Sequence, residues 1–330
     1  MWRSGAGVGA GTGAGVGTGA GAGGGAGGDK ARGTRVLVTG ATGTLGRQVV
    51  AALDGRPGVV ARILSRRAPV PEAPGDREWV VADLATDPLD AALAGVDAVI
   101  HLASAKGTGD ADVGVAGRLL AASASVGVRH LVVISIIGCD RIPLPFYASK
   151  VQIEELTRTS GVPWSIVRVA QFHSFVEHLV ATLATLPIPT PIVADLRFQP
   201  VDEREVAERL VEMALGEPLG DAPEIAGPEV LTLGEIAATW LRESRRPASL
   251  VPVPLDAILL GAGPSGAVPS DAVPSDAVPS DASDELQSAR WVSGVLEGYR
   301  AAANTPRGDR ILGQVRFVDW LRRRAGSESR

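Results

Sequence analysis

The chain has 330 residues and a formal net charge of −5, with 21% charged and 45% hydrophobic residues. This acidic balance gives no electrostatic case for a nucleic-acid partner. A single cysteine, Cys139, excludes an internal disulfide and fits a reducing compartment. Because no strongly apolar run reaches membrane length, the composition predicts a cytoplasmic protein with no membrane partner.

Two segments have compositions that oppose a packed core. Residues 1–33 are almost entirely Gly and Ala and predict a disordered tail, because they bury too little surface to offset the entropy of ordering. Later, Ala-Val-Pro-Ser-Asp is repeated three times. Proline and the Ser-Asp pairs oppose both helix and sheet, so residues 262–284 are predicted to be a disordered insertion.

From Thr34 onward, short apolar runs alternate with helical patterns. Such alternation predicts βαβ units and a parallel sheet, which makes the fold class α/β with a doubly wound sheet. The predicted strands are 35–39, 59–64, 79–82, 98–102, 130–135 and 164–169, and the predicted helices between them are 44–53, 88–93, 110–125 and 148–159.

The second half is less regular. An amphipathic pattern predicts a helix over 203–215, and a capping box of Thr232 and Glu235 begins a second helix at 233–243. Residues 250–253 are predicted to form an edge strand. A last helix is predicted over 309–323, with Ile311 and Val315 among its inward residues.

A glycine turn lies between the first strand and the first helix. The first glycine permits a tight turn, the second lets backbone approach a pyrophosphate, and the third lets the helix pack on the strand. The helix start also offers unpaired N–H groups and a positive dipole end to phosphates. The residues predicted to bind cofactor phosphates are Gly40, Thr42, Gly43, Thr44, Leu45 and Gly46.

The end of the second strand decides between the two nicotinamide cofactors. NAD-binding proteins carry an acidic residue there, whereas this chain has Ser65, Arg66 and Arg67. Arginine suits a 2′-phosphate, so the sequence favours NADP(H) over NAD(H), with Arg66 as the contact. The alternative is that both arginines are ordinary surface residues.

Two further pairs follow strands at the edge where a dinucleotide would lie. Asp83 and Leu84 follow the third strand and are predicted to meet an adenine ring, although an exposed loop aspartate is as common. Ala103 and Ser104 follow the fourth strand and are predicted to lie beside the pyrophosphate or the nicotinamide.

Lys150 is one of three lysines and begins the helix after the fifth strand. A lysine there can hold the nicotinamide ribose and lower the pKa of a nearby phenol, which then donates a proton to a carbonyl that accepts hydride. Tyr147 is the phenol in reach, and Ser135 ends the preceding strand. The alternative for Lys150 is a plain cation at a helix start.

Gln171 and His173 follow the sixth strand and are weaker candidates, for contact with a small-molecule substrate. His173 is either an acid/base group or a packed side chain. No spacing of His, Cys or Asp predicts a metal site, and no Gly-x-Ser-x-Gly motif predicts a hydrolase.

Several of these stretches together resemble one known family. They are Thr39–Arg47, Asp83-Leu84, His101–Ser104, Ser135, Phe146–Lys150 and Val169–His173. The chain is similar to the short-chain dehydrogenase/reductase superfamily, and within it to the atypical, NmrA-like NAD(P)-binding branch. The resemblance implies a Rossmann domain, here 34–170, and a smaller C-terminal portion, here 171–330, that covers the substrate. It also implies a Tyr-x-x-x-Lys pair and a serine, carried over by position to Lys150 and Ser135.

The chain departs from this pattern at the tyrosine. Phe146 stands four residues before Lys150, and Tyr147 stands only three before it. In a helix, one residue turns a side chain by about 100°. The departure leaves two main hypotheses open: an NADP(H)-dependent oxidoreductase on a small carbonyl or quinone-like compound, and a non-catalytic NADP(H)-sensing regulator with a protein partner. An NAD-dependent epimerase or dehydratase is a weaker alternative, since no acidic residue follows the second strand.

Overall fold

A computed structural model describes residues 33–68, 77–104, 109–185, 190–245, 250–259 and 282–328. The predicted tail, apart from Gly33, lies outside these ranges, as do residues 262–281 of the predicted insertion. The insertion was predicted to reach residue 284, which is wrong at its end, because a helix already begins at Ala282. Residues from Thr34 onward form one unit.

A nine-stranded sheet forms the centre of this unit, and all its strand pairs are parallel. Its strands are β1 (Thr34–Thr39), β2 (Val59–Ser65), β3 (Glu78–Val81), β4 (Ala98–His101), β5 (His130–Ile136), β6 (Trp164–Val169), β9 (Gly220–Asp221), β10 (Glu224–Ala226) and β13 (Arg310–Leu312). They run in the order β13-β10-β6-β5-β4-β1-β2-β3, with β9 also paired to β6. This confirms the predicted α/β class and its parallel sheet.

Helices cover both faces of the sheet, which explains why its strands are nearly continuous apolar runs. The helices are α1 (Thr44–Asp54), α2 (Asp90–Leu93), α3 (Gly109–Val126), α4 (Pro145–Arg158), α5 (His173–Leu183), α6 (Glu203–Leu215), α7 (Leu233–Ser244), α8 (Leu255–Leu259), α9 (Ala282–Arg300) and α10 (Phe317–Glu328). In β1, Val36 and Val38 pack on one face with α1 and α6, and Leu37 packs on the other face with α3 and α4.

A further hydrophobic cluster joins α5, α7 and α10, around Val176, Trp240 and Phe317. Helix α7 begins with the predicted capping box, in which Thr232 and Glu235 exchange hydrogen bonds. The predicted strand at 250–253 is also present, as β12 (Leu250–Val253) paired with β7 (Thr190–Val193). A second small sheet pairs β8 (Arg197–Phe198) with β11 (Leu231–Thr232).

The prediction of one helix over 309–323 is wrong at both ends. Arg310–Leu312 form strand β13, with Ile311 opposite Ile225 of β10, and the helix runs from Phe317 to Glu328. The strand forms because β10 exposes a row of unpaired backbone groups at the edge of the sheet, and pairing satisfies them. The apolar pattern from Ile311 to Leu321 therefore combines a strand and a helix. Within the described residues, no helix is long and apolar enough to span a membrane.

Candidate functional site

The glycine turn lies at the carboxyl end of β1, and two of its glycines are required by close backbone packing. Gly40 has a φ of +68°, and a Cβ there would lie 2.7 Å from the backbone nitrogen of Ala103. A Cβ on Gly46 would overlap the Gly40 carbonyl oxygen and lie 2.6 Å from Cα of Ala41. The turn therefore holds β1, β4 and α1 together with no space for side chains.

Gly43 is different, because its surroundings on the protein side are nearly open. A Cβ there would meet only the Gly40 carbonyl oxygen, at 3.3 Å. Gly43 is the N-cap of α1 and has no side-chain cap, while Thr42 and Thr44 beside it are exposed. The first N–H groups of α1 are thus offered to a ligand, which is the arrangement that binds a dinucleotide pyrophosphate. Leu45 is buried in the core, so it has only its backbone to offer.

Arg66 is exposed just after β2, and its side chain makes no hydrogen bond or ion pair with the described residues. Arg47, in the first turn of α1, donates instead to the Thr42 carbonyl oxygen at 2.7 Å. Arg67 is exposed like Arg66, and its hydrogen bond, to Ser65, comes from the backbone N–H. Both arginines that follow β2 therefore have uncommitted guanidinium groups.

Asp83 and Leu84 serve the loop that follows β3. The Asp83 carboxylate accepts from the Ala85 backbone N–H at 2.9 Å, and its own N–H donates to Asp87 at 2.8 Å. Leu84 is buried, and its carbonyl oxygen accepts from Arg118 at 3.0 Å. These bonds fix the loop at the predicted adenine position, and the adenine contact itself stays a prediction.

Lys150 forms a buried ion pair at the carboxyl ends of the strands. Its Nζ lies 3.5 Å from the Asp112 carboxylate, and the two side chains are 11% and 2% exposed. Ser104 donates to the same carboxylate oxygen at 2.7 Å, and the Phe146 ring centre lies 4.8 Å from Nζ. Burial lowers the pKa of Lys150, and the attraction of Asp112 opposes that shift. The ammonium is thus held in place by α3, while α4 carries it.

Thr39 connects this region to the glycine turn. Its hydroxyl oxygen accepts from the backbone N–H groups of Leu102 and Ala103, both at 3.2 Å, and lies 2.8 Å from Nδ1 of His101. Because the two N–H groups occupy both acceptor positions of the hydroxyl, we assign its one proton to the bond with Nδ1, and the imidazole proton to Nε2. Burial lowers the pKa of His101 to about 4, so the ring is neutral near pH 7.

Tyr147 is buried in a hydrogen-bond network instead of standing beside Lys150. Its hydroxyl lies 2.7 Å from that of Tyr299 on α9 and accepts from Gln171 at 3.0 Å. Gln171 in turn accepts from Asn304 at 2.9 Å. Burial raises the pKa of Tyr147. The Lys150 ammonium is paired with Asp112, and the expected lowering of the Tyr147 pKa by Lys150 stays a prediction.

Ser135 belongs to a third set of contacts, on the α4 side of the sheet. Its hydroxyl lies 3.7 Å from the Cys139 thiol, which donates to Glu154 at 3.6 Å. Glu154 is also bonded to Arg168 at 2.8 Å. Burial raises the pKa of Cys139 to about 11, which makes the thiol unreactive near pH 7. The hydrogen-bond partners of Ser135, Tyr147 and Lys150 are therefore different, although Cys139 lies near all three.

His173 is a packed side chain at the start of α5. It is buried, its Nε2 lies 3.0 Å from the Val315 carbonyl oxygen, and its ring lies against Phe317 and Trp320. Burial lowers its pKa to about 4. The sequence left open whether His173 is an acid/base group or a packed side chain, and these contacts are those of a packed side chain.

Comparison with known proteins identifies the family. A profile of NAD(P)H-binding proteins matches residues 40–183. A curated relative from Streptomyces griseus, (4-alkanoyl-5-oxo-2,5-dihydrofuran-3-yl)methyl phosphate reductase, is 33% identical over 228 residues, which are 67% of this chain and 78% of the relative. The chain belongs to this NAD(P)H-binding family. The match fits the atypical short-chain dehydrogenase/reductase superfamily that the sequence resembles, and the NmrA-like branch stays a prediction.

Solved structures of low sequence identity share the fold. An NADPH-dependent quinone oxidoreductase from Escherichia coli, complexed with NADPH, has a TM-score of 0.64 at 17% identity, over 88% of this chain and 99% of that one. A nucleoside-diphosphate-sugar epimerase from Staphylococcus aureus has a TM-score of 0.63, also at 17% identity, over 88% and 100%. Because reductases and epimerases match equally well, these likenesses confirm a Rossmann-like fold and no particular reaction.

The NAD(P)H-binding family supplies the cofactor, and the glycine turn fits it, since Gly43 leaves a cradle that a side chain would fill. Sequence reasoning missed three polar residues at this edge: Asp112, Tyr299 and Asn304. The sequence does single out Tyr299, because the chain has only two tyrosines. The structure bonds it to the other one, Tyr147. Asp112 resembled an ordinary acidic residue in a helix's first turn. Among the described residues, no group of His, Cys, Asp and Glu could hold a metal ion.

Proposed function

We propose that this protein is an NADP(H)-dependent reductase of a small carbonyl or quinone-like compound. The observation that carries the proposal is the buried Lys150–Asp112 pair, which holds an ammonium group at the carboxyl ends of the strands, near the glycine turn. Ligands of open α/β sheets bind at this edge. The relative from Streptomyces griseus supports the reaction class, because it is named as a reductase of a compound that carries carbonyl groups.

The preference for the phosphorylated cofactor rests on Arg66. An exposed guanidinium with no partner among the described residues can form charge-assisted hydrogen bonds to a 2′-phosphate. NADPH, when bound, supplies a hydride. Gly43 and the uncapped start of α1 would hold its pyrophosphate, and Lys150 its nicotinamide ribose.

Lys150 also has a chemical role in this proposal. A carbonyl or quinone that accepts a hydride develops negative charge on oxygen, and a desolvated ammonium stabilises that charge strongly. Asp112 raises the pKa of Lys150 against the effect of burial and fixes the side chain. One proton then completes the reduction. The sequence predicts Tyr147 as the donor of this proton, with Ser135 assisting. Because the Tyr147 hydroxyl is bonded to Tyr299 and Gln171, we propose that the proton comes from water instead.

The side chains at Phe146 and Tyr147 favour a second candidate, a non-catalytic NADP(H) sensor that acts through a protein partner. Phe146 occupies the position of the family's tyrosine and has no acidic proton. Tyr147 points its hydroxyl into the network with α9. In such a protein the cofactor would bind without being consumed, so turnover separates the two candidates.

Titration of the purified protein with NADPH and NADH, followed by tryptophan fluorescence, is the first test. We expect Arg66→Ala to weaken NADPH binding by about tenfold or more and to leave NADH binding unchanged, since a charged hydrogen bond contributes about 1.5–3 kcal/mol. Arg56→Ala is the matched control, because Arg56 lies at the opposite end of β2 and pairs with Glu208. Equal loss for both nucleotides would refute the role of Arg66.

Turnover is then measured as NADPH oxidation with a panel of quinones and conjugated ketones, for wild type and Lys150→Met. Reduction that falls by about a hundredfold or more in Lys150→Met supports the reductase, since removal of one preorganised donor to an oxyanion has an effect of this size. NADPH binding with no turnover of any substrate supports the sensor. Absence of binding by either nucleotide excludes both candidates.

A further inference from the structure

A cavity of about 490 Å³ lies beside the glycine turn, between α1, α6 and α10. Its wall includes Thr44 and Gln48 from the first two turns of α1, Glu203 and Arg204 from the first turn of α6, and Arg323 from α10. The volume is in the range of small-molecule sites. Because Thr44 belongs to the turn proposed to hold the cofactor phosphates, an occupant of this cavity would lie next to the cofactor.

Glu203 is a carboxyl group in the cavity wall without a complete set of partners. The residue is 4% exposed, and its Oε1 has no hydrogen-bond partner among the residues that the structure describes. Buried polar atoms are nearly always paired, so this enclosed oxygen beside the cavity is an exception. Burial also raises the pKa of Glu203. A carboxyl group in this state retains its proton more readily and adds less negative charge to the cavity wall.

Two arginines give the same cavity a positive charge. The Arg204 side chain is exposed and makes no hydrogen bond or ion pair with the described residues. Arg323 donates to the buried Asp202 carboxylate at 3.0 Å through one nitrogen only, which leaves its other N–H groups for a ligand. A third arginine of the lining, Arg324, pairs with Glu177, and Asp202 pairs with Arg323. Arg204 is therefore the lining arginine whose charge is not paired with a described carboxylate.

We propose that this cavity binds the phosphate group of a phosphate monoester, held by Arg204 and Arg323. The proposal rests on the proposed function, because the ester would be the substrate of the reductase. It deepens that function by naming the substrate class. The Streptomyces griseus relative is named for a methyl phosphate ester, which agrees with this class. Arginine suits phosphate because its planar fork donates two parallel hydrogen bonds.

The test is calorimetric titration of the NADP⁺-saturated protein with three probes: the relative's phosphate ester, the corresponding alcohol, and inorganic phosphate. We expect the ester to bind about tenfold or more tightly than the alcohol. We expect Arg204→Ala to bind the ester about tenfold more weakly than wild type does, and to bind the alcohol with unchanged affinity. Arg209→Ala is the matched control, since Arg209 is exposed on the same helix and pairs with Glu212 outside the cavity.

Four results would overturn the proposal. Equal affinity for ester and alcohol, or an ester affinity that Arg204→Ala leaves unchanged, would exclude the phosphate site. Displacement of NADP⁺ by the ester would assign the cavity to the cofactor. Inorganic phosphate that binds as tightly as the ester would show a site for the free ion and not for a substrate. Failure of the proposed function has a separate readout, which is the absence of NADPH binding. In that event the three probes are titrated into the protein without cofactor.

Discussion

The two neighbouring glycines of the turn offer a sharp test of how it works, because the structure gives them opposite roles. An alanine at Gly46 would place its methyl group against backbone on the protein side, overlapping the Gly40 carbonyl oxygen. An alanine at Gly43 would meet one backbone oxygen at 3.3 Å and otherwise point to where a ligand lies. Gly46→Ala should therefore damage the fold, and Gly43→Ala should damage cofactor binding.

The expected magnitudes follow from these distances. At Gly46, backbone atoms at 2.6 and 2.8 Å cannot move independently of β1, and overpacking of this kind costs about 1–3 kcal/mol or more. The gain in helix propensity, about 1 kcal/mol, offsets part of that cost. We expect a net loss of about 2 kcal/mol in the free energy of unfolding. At Gly43 the backbone is extended, with φ −74°, so an N-cap change of about 1 kcal/mol or less is expected.

Urea denaturation and NADPH titration of both variants give the readout. Gly43→Ala should unfold near the wild-type midpoint and bind NADPH about tenfold or more weakly, because the methyl group occupies the approach of the pyrophosphate to the backbone. Gly46→Ala should lose stability. Equal loss of stability in the two variants would refute the assigned roles, as would wild-type NADPH affinity in Gly43→Ala.

Three other predictions concern protons. Tyr147→Phe should keep turnover within about threefold of wild type and lower the free energy of unfolding by about 1 kcal/mol, because it loses hydrogen bonds and not the charge of Lys150. Asp112→Asn should shift the alkaline limb of the kcat profile to lower pH, since Asp112 raises the pKa of Lys150. The free energy of unfolding should fall by about 2–3 kcal/mol for each of His101 and His173 between about pH 6.5 and about pH 4, because burial lowers both pKa values from 6.5 to about 4.

Each of these has an outcome that contradicts it. A loss of turnover of a hundredfold or more in Tyr147→Phe would assign the proton to the phenol. An unchanged or alkaline-shifted profile in Asp112→Asn would show that the carboxylate does not act on Lys150. For the histidines, His173→Gln should flatten the dependence of stability on pH, and a slope equal to that of wild type would exclude burial of His173 as a cause.

The fold was predictable because local patterns and tertiary packing agree over most of the first half. Strand β1 and helix α1 follow from an apolar run, three spaced glycines and an amphipathic pattern, and the structure has them at Thr34–Thr39 and Thr44–Asp54. The prediction of the last helix was wrong because local pattern and tertiary packing disagree there. Ile311 forms part of a strand only because Ile225, 86 positions earlier, lies at an open sheet edge, and periodicity does not record such a partner.

The candidate site was predictable in its backbone part and not in its side-chain part. Spacing of glycines constrains a turn directly, since each glycine acts within a few residues of the others. Pairing of Lys150 with Asp112 joins residues 38 positions apart, and contact of Tyr147 with Tyr299 joins residues 152 apart. Both depend on how α3 and α9 pack against α4. The sequence singled out Lys150 and Tyr147 but predicted neither of these two partners.

The exchange at Phe146 now has a physical interpretation. Phe146 and Lys150 are four residues apart on α4, so their side chains share a face, and the ring lies 4.8 Å from Nζ. Tyr147, one residue further on, turns inward to Tyr299. An aromatic ring thus lies beside the ammonium at the position to which the resemblance carries the tyrosine, and this ring has no acidic hydroxyl. Under the proposed function, such a site stabilises charge on oxygen through Lys150 and takes its proton from water past the exposed Phe146 ring. That chemistry suits quinones and conjugated carbonyl compounds, whose reduced anions are delocalised and need no acid in direct contact.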